Sequence, residues 1–330
     1  MNLFDLTKRL ITIPSISGEE RNIADFLAEY LTGLGYEVET QEAAYRRPNI
    51  YARMGEPDVV LSTHIDTVPP YVELREDDYY IYGRGACDTK GIIAAMIEAG
   101  KVLAESGTTD FGLLLLVGEE AGSVGARVAN LIPNRCRYLI NGEPTESKLA
   151  LGSKGAVRAI LRTQGRAAHS AYPELGESAI DKLLETLIDL RRAKFPGDPL
   201  LGETTSNIGT IKGGVAANVI AAEAEAEIMC RVVTSADSLK REIERIVAGR
   251  AEVQYSFACD PVFTEKLEGF ETTVVSFTTD IPMLSNWGKP LLFGPGSILD
   301  AHTEDEKVAK NDLSRAVDSY VSMVRTLKER

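Results

Sequence analysis

Seven side chains of this sequence have the chemistry to hold a divalent cation and to move a proton beside it. His64 and Asp66 stand two apart in STHIDTVP, Asp88 in GRGACDTKG, Glu119 and Glu120 in VGEEAG, Glu143 in NGEPT and His302 in SILDAHTEDE. Imidazole nitrogen combined with carboxylate oxygen is the donor set of zinc and similar borderline ions. Singly, each has an ordinary reading. His64 and Asp66 could be a hydrogen-bonded surface pair, Asp88 a helix cap, Glu143 a turn residue before proline, and His302 a residue of a polar loop. Those readings do not explain why the groups recur directly after successive apolar runs.

The apolar runs are the elements that must position these groups. FGLLLL at 111–116 is a solid apolar run, as expected of a strand buried on both faces of a parallel sheet. Shorter runs at 49–53, 58–63 and 137–141 read as further strands. Ser17 with Glu20 reads as a capping box opening a helix, with Ile23, Phe26, Leu27, Tyr30, Leu31 and Leu34 at helical spacing and Gly35 as its stop. Gly91 to Ala104 reads as a second helix. This alternation predicts an α/β layer with a mostly parallel sheet, whose carboxyl edge is where ligands gather.

After Lys154 the pattern changes. Segment 155–163 alternates, 176–193 is helical, 204–212 and 221–233 are strand-like, 236–249 is helical and 251–258 alternates again. A β-α-β-β-α-β order is the split-βαβ, ferredoxin-like arrangement. From about 260 the chain is rich in Pro, Gly and Thr, then closes with an amphipathic helix at 310–328. The expected organisation is a discontinuous catalytic domain, 1–153 with 260–330, carrying an inserted α+β lid or dimerisation domain at 154–259.

Composition narrows the function classes. With 44% apolar and 26% charged residues in 330, the chain is of ordinary globular type. A net charge of −13 argues against nucleic acid or an anionic membrane as partner. Cys87, Cys136, Cys230 and Cys259 show no paired metal spacing, and reduced thiols in a cytoplasm are the expectation. Cys87, beside Asp88, reads as packing rather than as a nucleophile, because no base is placed for it.

Six segments, STHIDTVP, GRGACDTKG, GEEAG, NGEPT, GRAAHSAYPELGESAI and GPGSILDAHTEDE, stand in an order and rough spacing that resemble the zinc-dependent aminoacylase and carboxypeptidase family of co-catalytic metallohydrolases. That family includes acetylornithine deacetylase, succinyl-diaminopimelate desuccinylase and carboxypeptidase G. The resemblance covers nearly the whole chain and implies two divalent metal ions per subunit, zinc with cobalt as the other candidate. His64 and Glu143 would hold one ion, Glu120 and His302 the other, and Asp88 would bridge them. Asp66 would orient the His64 ring. Glu119 would be the general base of a metal-activated water that attacks an amide. Adjacent residues at a strand end point in different directions, so one glutamate can ligate while its neighbour handles the proton. The resemblance further implies a homodimer through the inserted domain. His169 would then serve the partner subunit's site as an oxyanion donor, and Asn218 and Arg231 would hold a substrate α-carboxylate. Where the family has proline after Asn-Val-Ile this chain has Ala221, which leaves the shape of that loop open.

For the substrate, GPGS at 294–297 resembles the acetylornithine-type deacetylases and favours removal of a small acyl group from an amino-acid nitrogen. A desuccinylase and an exo-acting dipeptidase or carboxypeptidase are the alternatives. A non-catalytic binding protein on the same fold would have no need of Glu119.

Overall fold

The run at 111–116 is the strand Phe111–Leu116, and its alternate side chains enter two different cores. Leu113 and Leu115 join Leu27, Ile93 and Val324 on one side, while Leu114 and Leu116 join Val60, Leu139 and Trp287 on the other. A strand covered on both faces has no solvent side, so no polar residue interrupts it. The computed structural model describes all residues 1–330. In its large sheet this strand has Arg47–Met54 and then Glu37–Ala44 on one side, and Val59–His64, Tyr138–Asn141 and Lys289–Leu292 on the other. Phe111–Leu116 and the last three run parallel, with His64 opposite Leu116 and Asn141 opposite both Ser62 and Leu292. Their carboxyl ends therefore share one edge. Helices Leu3–Ile11, Arg21–Gly33, Gly91–Glu105 and Lys310–Lys328 cover one face, and the short helix Val124–Ala129 lies on the other.

The chain folds as two units. The first comprises Met1–Leu151, Phe263–Thr273 and Thr279–Arg330, and the second Gly152–Val262 with Val274–Thr278. The second unit has its own antiparallel sheet, ordered Thr205–Gly213, Glu223–Val232, Gly155–Gln164, Glu252–Cys259. Helices Ala179–Arg192 and Ala236–Val247 share its separate core. In chain order the strands lie 2-3-1-4, the ferredoxin-like arrangement expected from the order of elements. No helix is long and apolar enough to cross a membrane.

Two local expectations are corrected. Ser17 and Glu20 form no capping box: the helix Arg21–Gly33 has Glu20 at its N-cap with no side-chain cap bond. Instead the Ser17 hydroxyl donates to Asp66 Oδ2 at 2.6 Å, and the buried Glu20 carboxylate pairs with Arg47 at 2.6 Å. A buried carboxylate without a cationic partner costs more than one missing cap, so burial decides. The second correction is the segment Val274–Thr278, which packs with the second unit rather than with the rest of 260–330. The Lys154 N–H donates to the Val275 carbonyl at 3.2 Å, and Arg231 Nη1 reaches the Thr278 hydroxyl at 3.4 Å. A short Thr- and Val-rich run carries no pattern that says which sheet it will join.

Candidate metal centre

His64 ends the strand Val59–His64, and Glu143 follows two residues after Tyr138–Asn141 on the neighbouring strand. Both are buried at the shared carboxyl edge. His64 Nδ1 lies 2.9 Å from the Asp66 backbone carbonyl, which accepts the Nδ1 proton, so Nε2 is the nitrogen that offers a lone pair once it loses its own proton. That lone pair faces Asp88 Oδ1 at 3.0 Å and Glu143 Oε2 at 3.9 Å. His302 Nε2 lies 2.8 Å from Glu120 Oε1 and 3.3 Å from Asp88 Oδ2. Asp88 thus presents one oxygen to each histidine. Two sets result, His64–Asp88–Glu143 and Asp88–Glu120–His302, each with its donor atoms within 4.8 Å of one another.

These residues fit a pair of divalent cations. A lone pair facing two carboxylates is repulsive unless a proton or a metal ion lies between them. Glu143 Oε1 is buried and has no hydrogen-bond partner within the protein, as a ligand oxygen would be. The protein's own charges point the same way. Burial alone would favour neutral His64, but its bonds to Asp66 and Asp88 hold it well above its usual 6.5. Bonds to Asp88 and Glu120 raise His302 to about 10. Burial opposes ionisation of Asp88, yet the two histidines hold it below the usual carboxylate range. Glu143 is pushed up by burial and by the carboxylates around it.

The two neighbouring glutamates differ. Glu120 belongs to the second set, and Glu119 belongs to neither. Burial, and beyond it the charges of Asp280, Glu120 and Asp66, raise the Glu119 carboxyl well above its usual range, against the pull of His64. The Asp66 carboxylate organises both: its oxygens accept the Glu119 N–H at 3.0 Å, the Glu120 N–H at 3.3 Å and the Ser17 hydroxyl. Orientation of His64 falls mainly to the Asp66 backbone carbonyl, since the Asp66 carboxylate is 3.5 Å from Nδ1.

His169, Asn218 and Arg231 lie in the second unit. His169 is exposed, and its Nδ1 accepts the Ala171 N–H at 3.1 Å, which leaves Nε2 to carry the proton in the neutral ring. The Asn218 side chain is exposed, and the Asn218 backbone carbonyl accepts the Ser170 N–H at 3.0 Å. Arg231 has the Thr278 hydroxyl as a partner at 3.4 Å. Ala221 is buried in its loop, its carbonyl accepting the Ala179 N–H at 2.8 Å.

Three features of the site lie outside the sequence reading. Asp280 is buried and its carboxylate makes no well-formed hydrogen bond, although the Ser123 side chain lies close enough to favour its ionised form. Burial raises its pKa to about 6. It stands in TTD, with no apolar run before it to mark it. Arg84 and Glu306 form a buried pair at 2.5 Å. Lys90 is also buried, its Nζ donating to the Ile13 carbonyl at 2.7 Å, and burial lowers it to about 7. The glycines of the GPGS motif have a structural job. A Cβ on Gly294 would come within 2.4 Å of the Glu143 carbonyl, and one on Gly296, at φ +84, within 2.6 Å of Cys87 Cβ. The two glycines let this loop close over the Glu143 turn.

The class these features define is a two-unit α/β protein with a candidate paired metal centre at its sheet edge. A family model described as a peptidase dimerisation domain matches residues 151–261. The chain is 40% identical to a peptidase M20 domain-containing protein of Schizosaccharomyces pombe, across 98% of this chain and 84% of that one. It therefore belongs to the M20 peptidase family, a family of metal-dependent hydrolases. A protein named as a probable carboxypeptidase in Aspergillus flavus is 35% identical over 98% of this chain and 89% of its own length. Among solved structures, a tripeptidase from Staphylococcus aureus superposes with a TM-score of 0.85 at 22% identity, covering 100% of this chain and 98% of that one. An M20 family metallo-carboxypeptidase from Sulfolobus solfataricus gives 0.80 at 17% identity, covering 99% of each chain. Those two likenesses speak to the fold.

Proposed function

We propose that the protein is a metal-dependent exopeptidase of the carboxypeptidase type, cutting the amide whose nitrogen belongs to a residue with a free α-carboxylate. The observation that carries this reading is Asp88 shared between the two histidine sets with Glu119 beside them and in neither. His64, Asp88 and Glu143 would hold one divalent ion and Asp88, Glu120 and His302 the other, zinc being the expected metal. Such ions, when bound, supply Lewis-acid activation of a water and of the scissile carbonyl. Glu119 takes the water's proton and returns it to the leaving amine, a task that suits a carboxyl whose pKa is raised above the usual carboxylate range. His169, with its proton on Nε2, is the oxyanion donor, contributed by the inserted unit of a partner copy in a homodimer. Arg231 and Asn218 take the substrate α-carboxylate.

Relatives named as probable carboxypeptidases support this reading over the small-acyl one. An N-acyl amino acid has the same amide beside the same carboxylate, so the two substrate classes differ only in the group on the acyl side. The deciding experiment is a substrate panel: N-blocked dipeptides, free dipeptides and N-acetyl or N-succinyl amino acids, with products identified by mass. Release of the C-terminal residue from blocked dipeptides should exceed turnover of N-acetyl amino acids. The reverse order would return the reading to a deacylase, and turnover of free dipeptides alone would make it a dipeptidase.

A further inference from the structure

The two cation sets are held by different means. In the first, His64 and Glu143 are fixed by the sheet itself, through the pairing of Val59–His64 with Tyr138–Asn141 and the Thr63 hydroxyl donating to the Gly142 carbonyl at 2.7 Å. The Thr89 hydroxyl donates to the His64 carbonyl and ties the Asp88 turn to the same strand. In the second set, His302 stands in a loop with no strand or helix behind it, its side chain 47% exposed and its φ at +65. Something else must hold it.

Arg84 and Glu306 are placed to do so. Arg84 Nη1 donates to Glu306 Oε2 at 2.5 Å and to the Thr303 carbonyl, next to His302, at 3.2 Å. Arg84 Nε donates to the Pro70 carbonyl at 3.1 Å. Glu306 Oε1 accepts the Asp88 N–H at 3.2 Å, and the Glu306 carbonyl accepts the Gly83 N–H at 3.0 Å. Both side chains are essentially inaccessible, at 1% and 0%. Burying an ion pair returns little net stability. Most of this pair's hydrogen bonds go to the segments that carry Asp88 and His302.

We propose that the Arg84–Glu306 pair is a positioning device that locks the His302 loop to the Asp88 turn and thereby sets the affinity of the Glu120–His302 cation set, leaving the His64–Glu143 set nearly unchanged. The inference rests on the reading of the site as a metal pair. Partners that orient a ligand from behind are worth about tenfold to a hundredfold in metal affinity.

The test titrates metal-free full-length protein with Zn²⁺ and, separately, with Mn²⁺ followed by electron paramagnetic resonance. Wild type, Glu306→Gln, Arg84→Lys and the charge-free double variant Arg84→Met with Glu306→Leu are compared, with folding checked by circular dichroism and melting. In wild type two ions should bind, and two Mn²⁺ sharing the Asp88 carboxylate should give an exchange-coupled signal. In the variants the first ion should bind within about twofold of wild type and the second about tenfold to a hundredfold more weakly, the signal becoming that of an isolated ion. Folded variants that keep both affinities and the coupled signal would overturn the proposal, as would equal weakening of both ions. Arg84→Lys keeps both charges and decides the matter if the other variants do not fold. If all of them unfold, the pair is a stability element and the proposal is wrong. Should wild type itself bind no second ion, the metal-pair reading fails first, and that result is separate from any variant.

Discussion

Glu119 and Glu120 are neighbours in sequence and opposite in circumstance. Glu120 lies 2.8 Å from His302, while Glu119 belongs to neither cation set. Glu119→Gln should therefore keep metal content and substrate binding while kcat falls by about 10²–10⁴, the usual worth of a general base. Glu120→Gln should lower metal occupancy, measured by elemental analysis after dialysis. Equal metal loss in both would reverse the assignment. Asp280 acts on Glu119 through charge: as a negative group it makes ionisation of Glu119 harder. In Asp280→Asn the Glu119 pKa should fall, so the base stays ionised to lower pH and the acid limb of the kcat profile moves down. An unmoved limb would separate the two groups. Metal uptake should also release protons. His64 and His302 are held protonated by neighbouring carboxylates, both raised above the ordinary 6.5. A ligand nitrogen must lose its proton, so affinity should rise as pH increases from about 6 to 9. Calorimetry in buffers of different ionisation enthalpy measures the release, and a heat independent of buffer would contradict it.

At the scale of elements, loops are held to strand ends by close backbone approach. The Thr145 and Ser147 N–H groups donate to the Gly294 carbonyl, and the Glu146 N–H donates to that of Gly296. Gly294→Ala would drive a Cβ to 2.4 Å from the Glu143 carbonyl and 2.9 Å from Ile92 Cδ1. The loop must give way, at a cost of about 1–3 kcal/mol by the usual price of overpacking, and Glu143 moves with it. Denaturant midpoint and zinc affinity should both drop; loss of stability with unchanged zinc affinity would show that this loop does not position Glu143. Legibility differs sharply here. The strand Phe111–Leu116 and the helix Lys310–Lys328 are evident from their periodicity. The strand Lys289–Leu292 is four residues long and begins Lys-Pro, too short to stand out in a Pro- and Gly-rich stretch. The missing capping box at Ser17 has a similar cause, since a local motif is outbid by a partner far along the chain.

At the scale of the whole molecule, the resemblance places His169 in the site of a partner copy, and subunit exchange tests this. Glu119→Ala and His169→Ala proteins should each be nearly inactive. If His169 acts in trans, the mixed dimer has one site with both groups intact. Random exchange then restores about a quarter of wild-type activity, because half the dimers are mixed and each has one good site of two. If His169 acts within its own chain, every mixed dimer has two defective sites. No recovery, with exchange verified by mass, would rule out the shared site.

By itself the sequence determined the two folding patterns and the order of the chemistry-bearing segments along them. Both are written in short-range periodicity: apolar runs for strands buried on two faces, alternation for the inserted sheet, and polar groups where each run stops. What the sequence could not determine was which loops meet. Asp88 presents one oxygen to His64 and the other to His302, the Asp66 carboxylate takes the N–H groups of both Glu119 and Glu120, and Arg84 finds Glu306 at a separation of 222 residues. Asp280 is buried close enough to Glu119 to act on its charge, in a run that reads as plain loop. Contacts of this kind follow no period, because each depends on where two distant turns are left by the sheet beneath them. Only the folded chain decides them.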